Sequence, residues 1–438
     1  MKRWGRYHLY QSDKQCPEES ANRWSSVRYD GGNAWNYNNN GISNNNNFSN
    51  ELAARPVTKF KYKSIHWEMD LVSLEQAYKA SRKHNKRSED MVSFELDKYA
   101  RLRRLRDEIN ARSYTPLHNY SFMHRRGQKP REVFAAEPEL KIMMSFALSN
   151  IAPLIEAQLS QRTFNNRVGM GSQLAVNTII EDIYTVSKGC TRPCWIIKVD
   201  YKGYFPNMNQ DIAFQKVLDI VKEGYHRHDK QEVIYCLSVA CFYNPEHSRR
   251  KSPIWDWNDY PSYKSVYYRP AGIGGFIGYT FWQMVASLYP AEIDKFVEES
   301  ITPHFARYVD DTLMVTDNKE MALAMIPELR RRLADIGITL HPKKFYCQKY
   351  EHGVEFLGYR VFTDRLHLKM RTIARALGVA RSKERGRRNY VDAINSYLGM
   401  IKSTSDLKWA RAVLDAVDKK WATKDYENYK IINNHATR

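Results

Sequence analysis

Phe305-Ala306-Arg307-Tyr308-Val309-Asp310-Asp311-Thr312-Leu313-Met314-Val315 decides how this 438-residue chain is read. Strand-forming residues flank an adjacent pair of carboxylates, which predicts a β-hairpin over 304–315 with Asp310 and Asp311 at its tip. Taken alone, Asp-Asp is ordinary turn chemistry, its mutual repulsion screened by water. A third acid changes that reading. Cys194-Trp195-Ile196-Ile197-Lys198-Val199 is a short apolar run that ends in Asp200, the pattern of a buried strand. An acid there is costly unless it is paired or binds a cation. Three carboxylates on two adjacent strands can hold two Mg²⁺ ions about 4 Å apart, the arrangement for in-line displacement at a nucleoside triphosphate.

The composition agrees with a polyanionic partner. Lys and Arg total 68 against 49 Asp and Glu, a net charge of +19 and a pI near 9.5, and nucleic acid is the commonest partner of so basic a chain. With 43% hydrophobic and 13% aromatic residues, the chain can build a sizeable core, which excludes wholesale disorder. No apolar run reaches the ~18 residues of a membrane span and no signal peptide opens the chain, so a cytoplasmic protein without membrane contact is expected. The six cysteines are scattered, without the spacing of a zinc site, and read as reduced thiols.

Along the chain, residues 33–50 hold ten asparagines in eighteen positions and are expected to be loop or disordered. Helices are expected from Leu71 to the basic break at Arg82–Arg87, from Ser93 to Ala111, and over 142–159, 172–187, 209–222 and 230–243. A strand pair is expected over 120–136. Residues 244–270, rich in prolines, cations and aromatics, read as a long exposed insertion. Beyond it come helices over 281–299 and 321–336 and a strand at 354–361. Everything after Asp364 reads as helical, with nine Lys/Arg and one acid between Arg365 and Arg388.

Tyr308-Val309-Asp310-Asp311, preceded by a strand-terminal Asp200, is similar to the palm of reverse transcriptases. Further blocks follow in the order of that family. Lys198-Val199-Asp200-Tyr201-Lys202-Gly203-Tyr204-Phe205 resembles the first catalytic block, whose aromatic, here Phe205, excludes a 2′-hydroxyl. Gly337 to Lys344 resembles the block whose lysine lies near the pyrophosphate. Glu355-Phe356-Leu357-Gly358-Tyr359 resembles the primer-gripping hairpin. Lys129-Pro130-Arg131 resembles the fingers strand that meets the triphosphate, and Asn166-Arg167 with Gly169 and Gly171 resembles the next fingers block. The likeness spans about residues 65–420.

The resemblance implies an α+β right-hand polymerase: fingers over 58–192, a palm with an antiparallel sheet over 193–362, and a helical thumb over 363–438. It implies synthesis of cDNA from dNTPs on an RNA template and a DNA primer. Asp200, Asp310 and Asp311, with the Val199 backbone, would hold two Mg²⁺ ions, for which Mn²⁺ can substitute. Arg131, Phe205, Gln283, Tyr308 and Lys344 would line the nucleotide site, and Phe356, Leu357 and Gly358 would grip the primer.

Within the family, Ile277-Gly278 followed at the right spacing by Gln283 resembles diversity-generating retroelements, but Trp282 replaces a usual serine and Phe276 a usual proline. Trp282 is either a core residue or part of the surface that checks the nascent pair. Residues 1–57 bear on the same subclass. Trp24, Arg28, Trp35, Gly41 and Arg55-Pro56-Val57 resemble the end of a C-type-lectin variable domain, the target of such elements. The segment is either an Asn-rich tether or a translated template repeat. The retroelement reading implies a bacterial or phage origin and a small basic accessory protein. Its competitors are a defence-associated or otherwise domesticated reverse transcriptase and a non-catalytic RNA-binding scaffold, against which the intact acid triad argues.

Overall fold

The computed structural model describes residues 69–83, 88–124, 130–252, 257–258, 260–382, 390–418 and 422–433, together with the backbone of 23–30, 33–38 and 41–47. The chain divides into two units, 1–67 and 68–438.

In the first unit, β1 (Arg23–Asp30), β2 (Asn33–Asn38) and β3 (Gly41–Asn47) form an antiparallel meander. This corrects the expectation of loop or disorder. The pairings Asp30↔Asn33 and Asn38↔Gly41 leave two residues between successive strands, Gly31-Gly32 and Asn39-Asn40. Pairing across the meander thus outweighs the weak strand preference of asparagine.

The second unit opens with the helix Leu71–Arg82, whose first turn is capped by Asp70 accepting from the Ser73 N–H at 2.6 Å. The single helix expected over 93–111 is two, Glu89–Leu96 and Lys98–Asn110, because Asp97 leaves helical geometry at φ −131°. β4 (Tyr120–His124) and β5 (Arg131–Ala135) pair antiparallel as expected; the turn between them, with Lys129, lies outside the described residues. The buried helices Pro138–Glu156 and Ser172–Val186 follow, and then β6 (Trp195–Asp200).

The 244–270 insertion is not simply exposed. β7 (Arg249–Arg250) adds in parallel to β4, extending the β5-β4-β7 sheet. Trp257 and Tyr260 are buried with Met123, and Tyr267 shares a 2.6 Å hydrogen bond with Ser121. The Glu132 carboxylate accepts from Ser265 Oγ at 2.6 Å and the Val266 N–H at 2.7 Å. Trp257, Tyr260 and Tyr267 help to fasten the segment, since large rings gain most from leaving water, while Tyr263 and Tyr268 stay exposed.

β8 (Phe305–Tyr308), β9 (Asp311–Thr316) and β10 (Tyr346–Lys349) complete an antiparallel sheet with β6 in the order β10-β6-β9-β8. Its buried face packs Ile196, Ala306, Leu313 and Val315 against Val176, Ile179 and Ile183 of the helix Ser172–Val186. β11 (Val354–Phe356), β12 (Tyr359–Val361) and β13 (Leu366–Leu368) form a small separate sheet in the same core. The region after Asp364 is therefore not wholly helical. β13 precedes the helices Met370–Arg381, Tyr390–Lys402 and Leu407–Ala416, and β14 (Ala422–Asp425) pairs with β15 (Lys430–Asn433) after them. No helix among the described residues is long and apolar enough to cross a membrane.

Candidate active site

The pairing of β6 with β9 sets Asp200 directly opposite Asp311, and Tyr308↔Asp311 closes the hairpin around Val309-Asp310. Three acids thus meet at one end of the sheet. Two cations balance part of their charge. Lys344 Nζ donates to Asp200 Oδ2 at 2.5 Å, and Lys198, diagonal to Asp311 across the strands, places its ammonium 2.9 and 3.1 Å from the two Asp311 oxygens. Lys198 also donates to the Glu355 carbonyl at 2.7 Å. Asp310 gains least from these cations. Burial, then repulsion by Asp200 and Asp311, push its carboxyl up to about 6. Asp311 is raised chiefly by burial, and Lys198 opposes the shift.

Among the described residues no three carboxylates, imidazoles or thiolates converge on one metal-sized position, and the two lysines engage the oxygens of Asp200 and Asp311. The donor chemistry nonetheless fits a divalent cation. The donors are hard carboxylate oxygens, and Asp310, raised first by burial and then by Asp200 and Asp311, is the acid of the three whose charge is least offset.

The backbone fixes the triad. Asp200 O accepts from the His341 N–H at 2.7 Å, and Asp310 O accepts from the Tyr201 N–H at 3.1 Å. Gly203, at φ +57°, turns the chain from Asp200 into the short helix Tyr204–Asn207, which carries a half-buried Phe205. The Phe205 carbonyl accepts from Gly275 N at 2.7 Å, tying this helix to the loop before the helix Thr280–Leu288. In that loop Gly278 lies at φ +114°, where a Cβ would sit 2.2 Å from the Phe134 carbonyl oxygen. Gly278→Ala is expected to destabilise the protein by about 3 kcal/mol or more, measured as a loss of unfolding free energy, since both the backbone angle and the close approach exclude a side chain.

Arg131 and Gln283 are exposed, on β5 and on the helix Thr280–Leu288, and among the described residues no side-chain hydrogen bond or ion pair joins either to the triad. Tyr308 is half-buried beside the core, and the Val199 side chain is buried. Phe356 is fully buried, so its ring is core and cannot touch a primer. The turn Leu357-Gly358, at φ +48° and +95°, is half-buried, and Glu355 before it is exposed. Trp282 is also core. It is 0% exposed, edge-on to Phe276 and Phe281, and leaves no room for a Cβ at Gly275. Arg167 is consumed by Glu156 and by the carbonyls of Ser160 and Thr163.

Sequence reading missed the polar layer behind the hairpin. Arg307 is 0% exposed, and its guanidinium donates to Asp294 at 2.6–2.9 Å and to the Ser287 carbonyl at 2.7 Å. Asp294 also accepts from Thr163 Oγ1 at 2.8 Å. The signal was a lone arginine inside an apolar strand, which must find a buried partner. Asn165 showed no signal at all.

The family described as reverse transcriptase (RNA-dependent DNA polymerase) matches residues 142–361, just over half of the chain and all three acids. No curated protein matches the chain. Among solved structures it resembles apo telomerase from Candida tropicalis truncated from its C-terminal domain, at 14% identity over 58% of this chain and 56% of that one, TM-score 0.41. It also resembles telomerase from Candida albicans in complex with a TWJ fragment of telomeric RNA, at 10% identity over 69% of this chain and 55% of that one, TM-score 0.42. Apo telomerase from Candida tropicalis matches at 15% identity over 69% and 55%, TM-score 0.41. The chain spans little more than half the length of each. On the match over residues 142–361, this α+β chain has the right-hand polymerase fold and belongs to the reverse transcriptase family, the RNA-dependent DNA polymerases.

Proposed function

We propose that this RNA-directed DNA polymerase is the error-prone reverse transcriptase of a diversity-generating retroelement, extending a DNA primer on a template-repeat RNA with dNTPs. The observation that carries the reading is the N-terminal sequence, where asparagines alternate with a Trp24, Trp35, Gly41 and Arg55-Pro56-Val57 framework. Asparagine codons begin with two adenines, so miscopying at template adenines would diversify those positions, while Trp codons, which lack adenine, stay fixed. The spacing of Ile277, Gly278 and Gln283 supports the same subclass. A small basic accessory protein belongs to this reading.

In this proposal Asp200, Asp310 and Asp311, with the Val199 carbonyl, hold divalent ions, Mg²⁺ or Mn²⁺. When bound, the ions supply activation of the primer 3′-hydroxyl and neutralisation of the leaving pyrophosphate. Lys344 and Arg131 face the phosphates, Phe205 excludes a 2′-hydroxyl, Tyr308 and Gln283 border the nascent pair, and the Leu357-Gly358 turn meets the primer. Residues 58–192 act as fingers, 193–362 as palm and 363–438 as thumb. The face of the helix Met370–Arg381 that exposes Arg371 lies along the template–primer backbone.

Sequencing the DNA around the gene tests the subclass. A near-copy of the stretch encoding residues 23–57 is expected at the 3′ end of a neighbouring gene, differing mainly where this copy has adenine. Without such a copy the reading falls, and a defence-associated reverse transcriptase takes its place.

A further inference from the structure

Val309 lies at φ +61°, between the end of β8 and Asp310. A β-branched residue strongly disfavours left-handed backbone, so something must hold it there. Two buried side chains grip it from opposite ends. Asn165 Oδ1 accepts the Val309 N–H at 3.0 Å, and Arg307 Nη1 donates to the Val309 carbonyl at 3.2 Å.

Both grips are themselves anchored on the end of the helix Thr280–Leu288. Asn165, 1% exposed, donates through Nδ2 to Ser287 Oγ at 2.7 Å, and that hydroxyl donates back to the Asn165 carbonyl at 3.1 Å. Arg307 donates to the Ser287 carbonyl at 2.7 Å and, more weakly, to the Ala286 carbonyl at 3.4 Å. A helix leaves its last carbonyls without intrahelical partners, which makes them fixed acceptors at a rigid end. Tyr204, beside Phe205, also donates to the Ala286 carbonyl, at 2.8 Å, so the same helix end touches the segment that follows Asp200.

We infer that Asn165 and Arg307 are positioning residues that clamp Val309 in its left-handed conformation and so aim Asp310, without touching substrate themselves. The inference rests on Asp310 being a metal-holding acid. Should Asp310→Asn retain full incorporation, that premise fails, which is distinct from failure of the clamp.

A double-mutant cycle with Val309→Gly tests the clamp, because glycine occupies positive φ without restraint. The measurement is single-nucleotide incorporation in one turnover, with saturating dNTP and Mg²⁺, on a preformed complex of the full chain with primed RNA. Its amplitude reports the fraction of competent protein, and its rate reports how well the competent site is aimed. Asn165→Ala is expected to slow the rate by about tenfold at unchanged amplitude and unchanged affinity for primed RNA. In the Val309→Gly background the same change is expected to slow it by no more than about twofold. Equal slowing in both backgrounds overturns the clamp. Lost amplitude at the parental rate also overturns it, since Asn165 would then serve the fold alone. If Asn165→Ala yields no folded protein, Arg307→Lys takes its place in the same cycle. It keeps a cation for Asp294 but lacks the fork that reaches Val309, and the same outcomes decide.

Discussion

Asp310→Asn is expected to abolish dNTP incorporation while the protein keeps its fold and its grip on RNA. Asparagine preserves size but removes the charge proposed to hold a divalent ion, a loss of ~4 kcal/mol of transition-state stabilisation, or on the order of 10³-fold in rate. Stability should move the other way. Asp310 is a carboxyl raised by burial and by Asp200 and Asp311, so its charge is a burden to the folded state. Neutralising it relieves that repulsion, and the unfolding temperature is expected to stay level or rise. Affinity for primed RNA should hold, because the basic surface proposed to meet phosphates lies elsewhere and one negative charge fewer cannot repel a polyanion. Extension of a primed RNA template at the parental rate would exclude Asp310 from metal binding. Lost activity accompanied by a lower melting temperature would make it a structural residue.

The parts of the molecule legible in the sequence are those where local chemistry and tertiary placement agree. The hairpin around Asp310-Asp311 shows itself because apolar strand residues flank a polar tip, and Asp200 stands out as an acid at the end of an apolar run. Where tertiary contacts decide, the pattern misleads. The 260–270 stretch looks like solvent-facing loop until Glu132, more than 130 positions away, captures Ser265 and Val266. Phe356 sits in a motif that suggests a primer contact, yet alternation along β11 turns its ring inward with Val354. Asn165 and Val309 are 144 positions apart, and nothing local in the sequence around Asn165 marks a contact with the hairpin. Lys198 was legible as part of a motif but not as the cation beside Asp311, since only the strand register places it diagonally across from that acid.

Asp294→Asn is expected to be among the most destabilising single substitutions in the second unit. Arg307 lies wholly out of water. Burial works to discharge it, and the Asp294 carboxylate, through three hydrogen bonds, outweighs that and keeps it protonated. Taking away the acid's charge strands the guanidinium, at a cost of about 3–5 kcal/mol against a total stability of roughly 5–15 for a typical domain. Denaturant unfolding should show this as a midpoint shift at unchanged slope. The companion variant removes both charges, Arg307→Met with Asp294→Leu, and apolar replacement of a buried pair is often close to neutral. Here it should not be neutral, because the same guanidinium also serves the carbonyls of Ser287 and Val309. Each buried carbonyl left unpaired costs about 1–3 kcal/mol. The double variant is therefore expected to recover only part of the loss, with catalysis still impaired once Val309 has lost one of its two holders. A single variant within about 1 kcal/mol of the parent would mean that the guanidinium finds another counter-charge. Full recovery in the double variant would mean that the carbonyls do not depend on it.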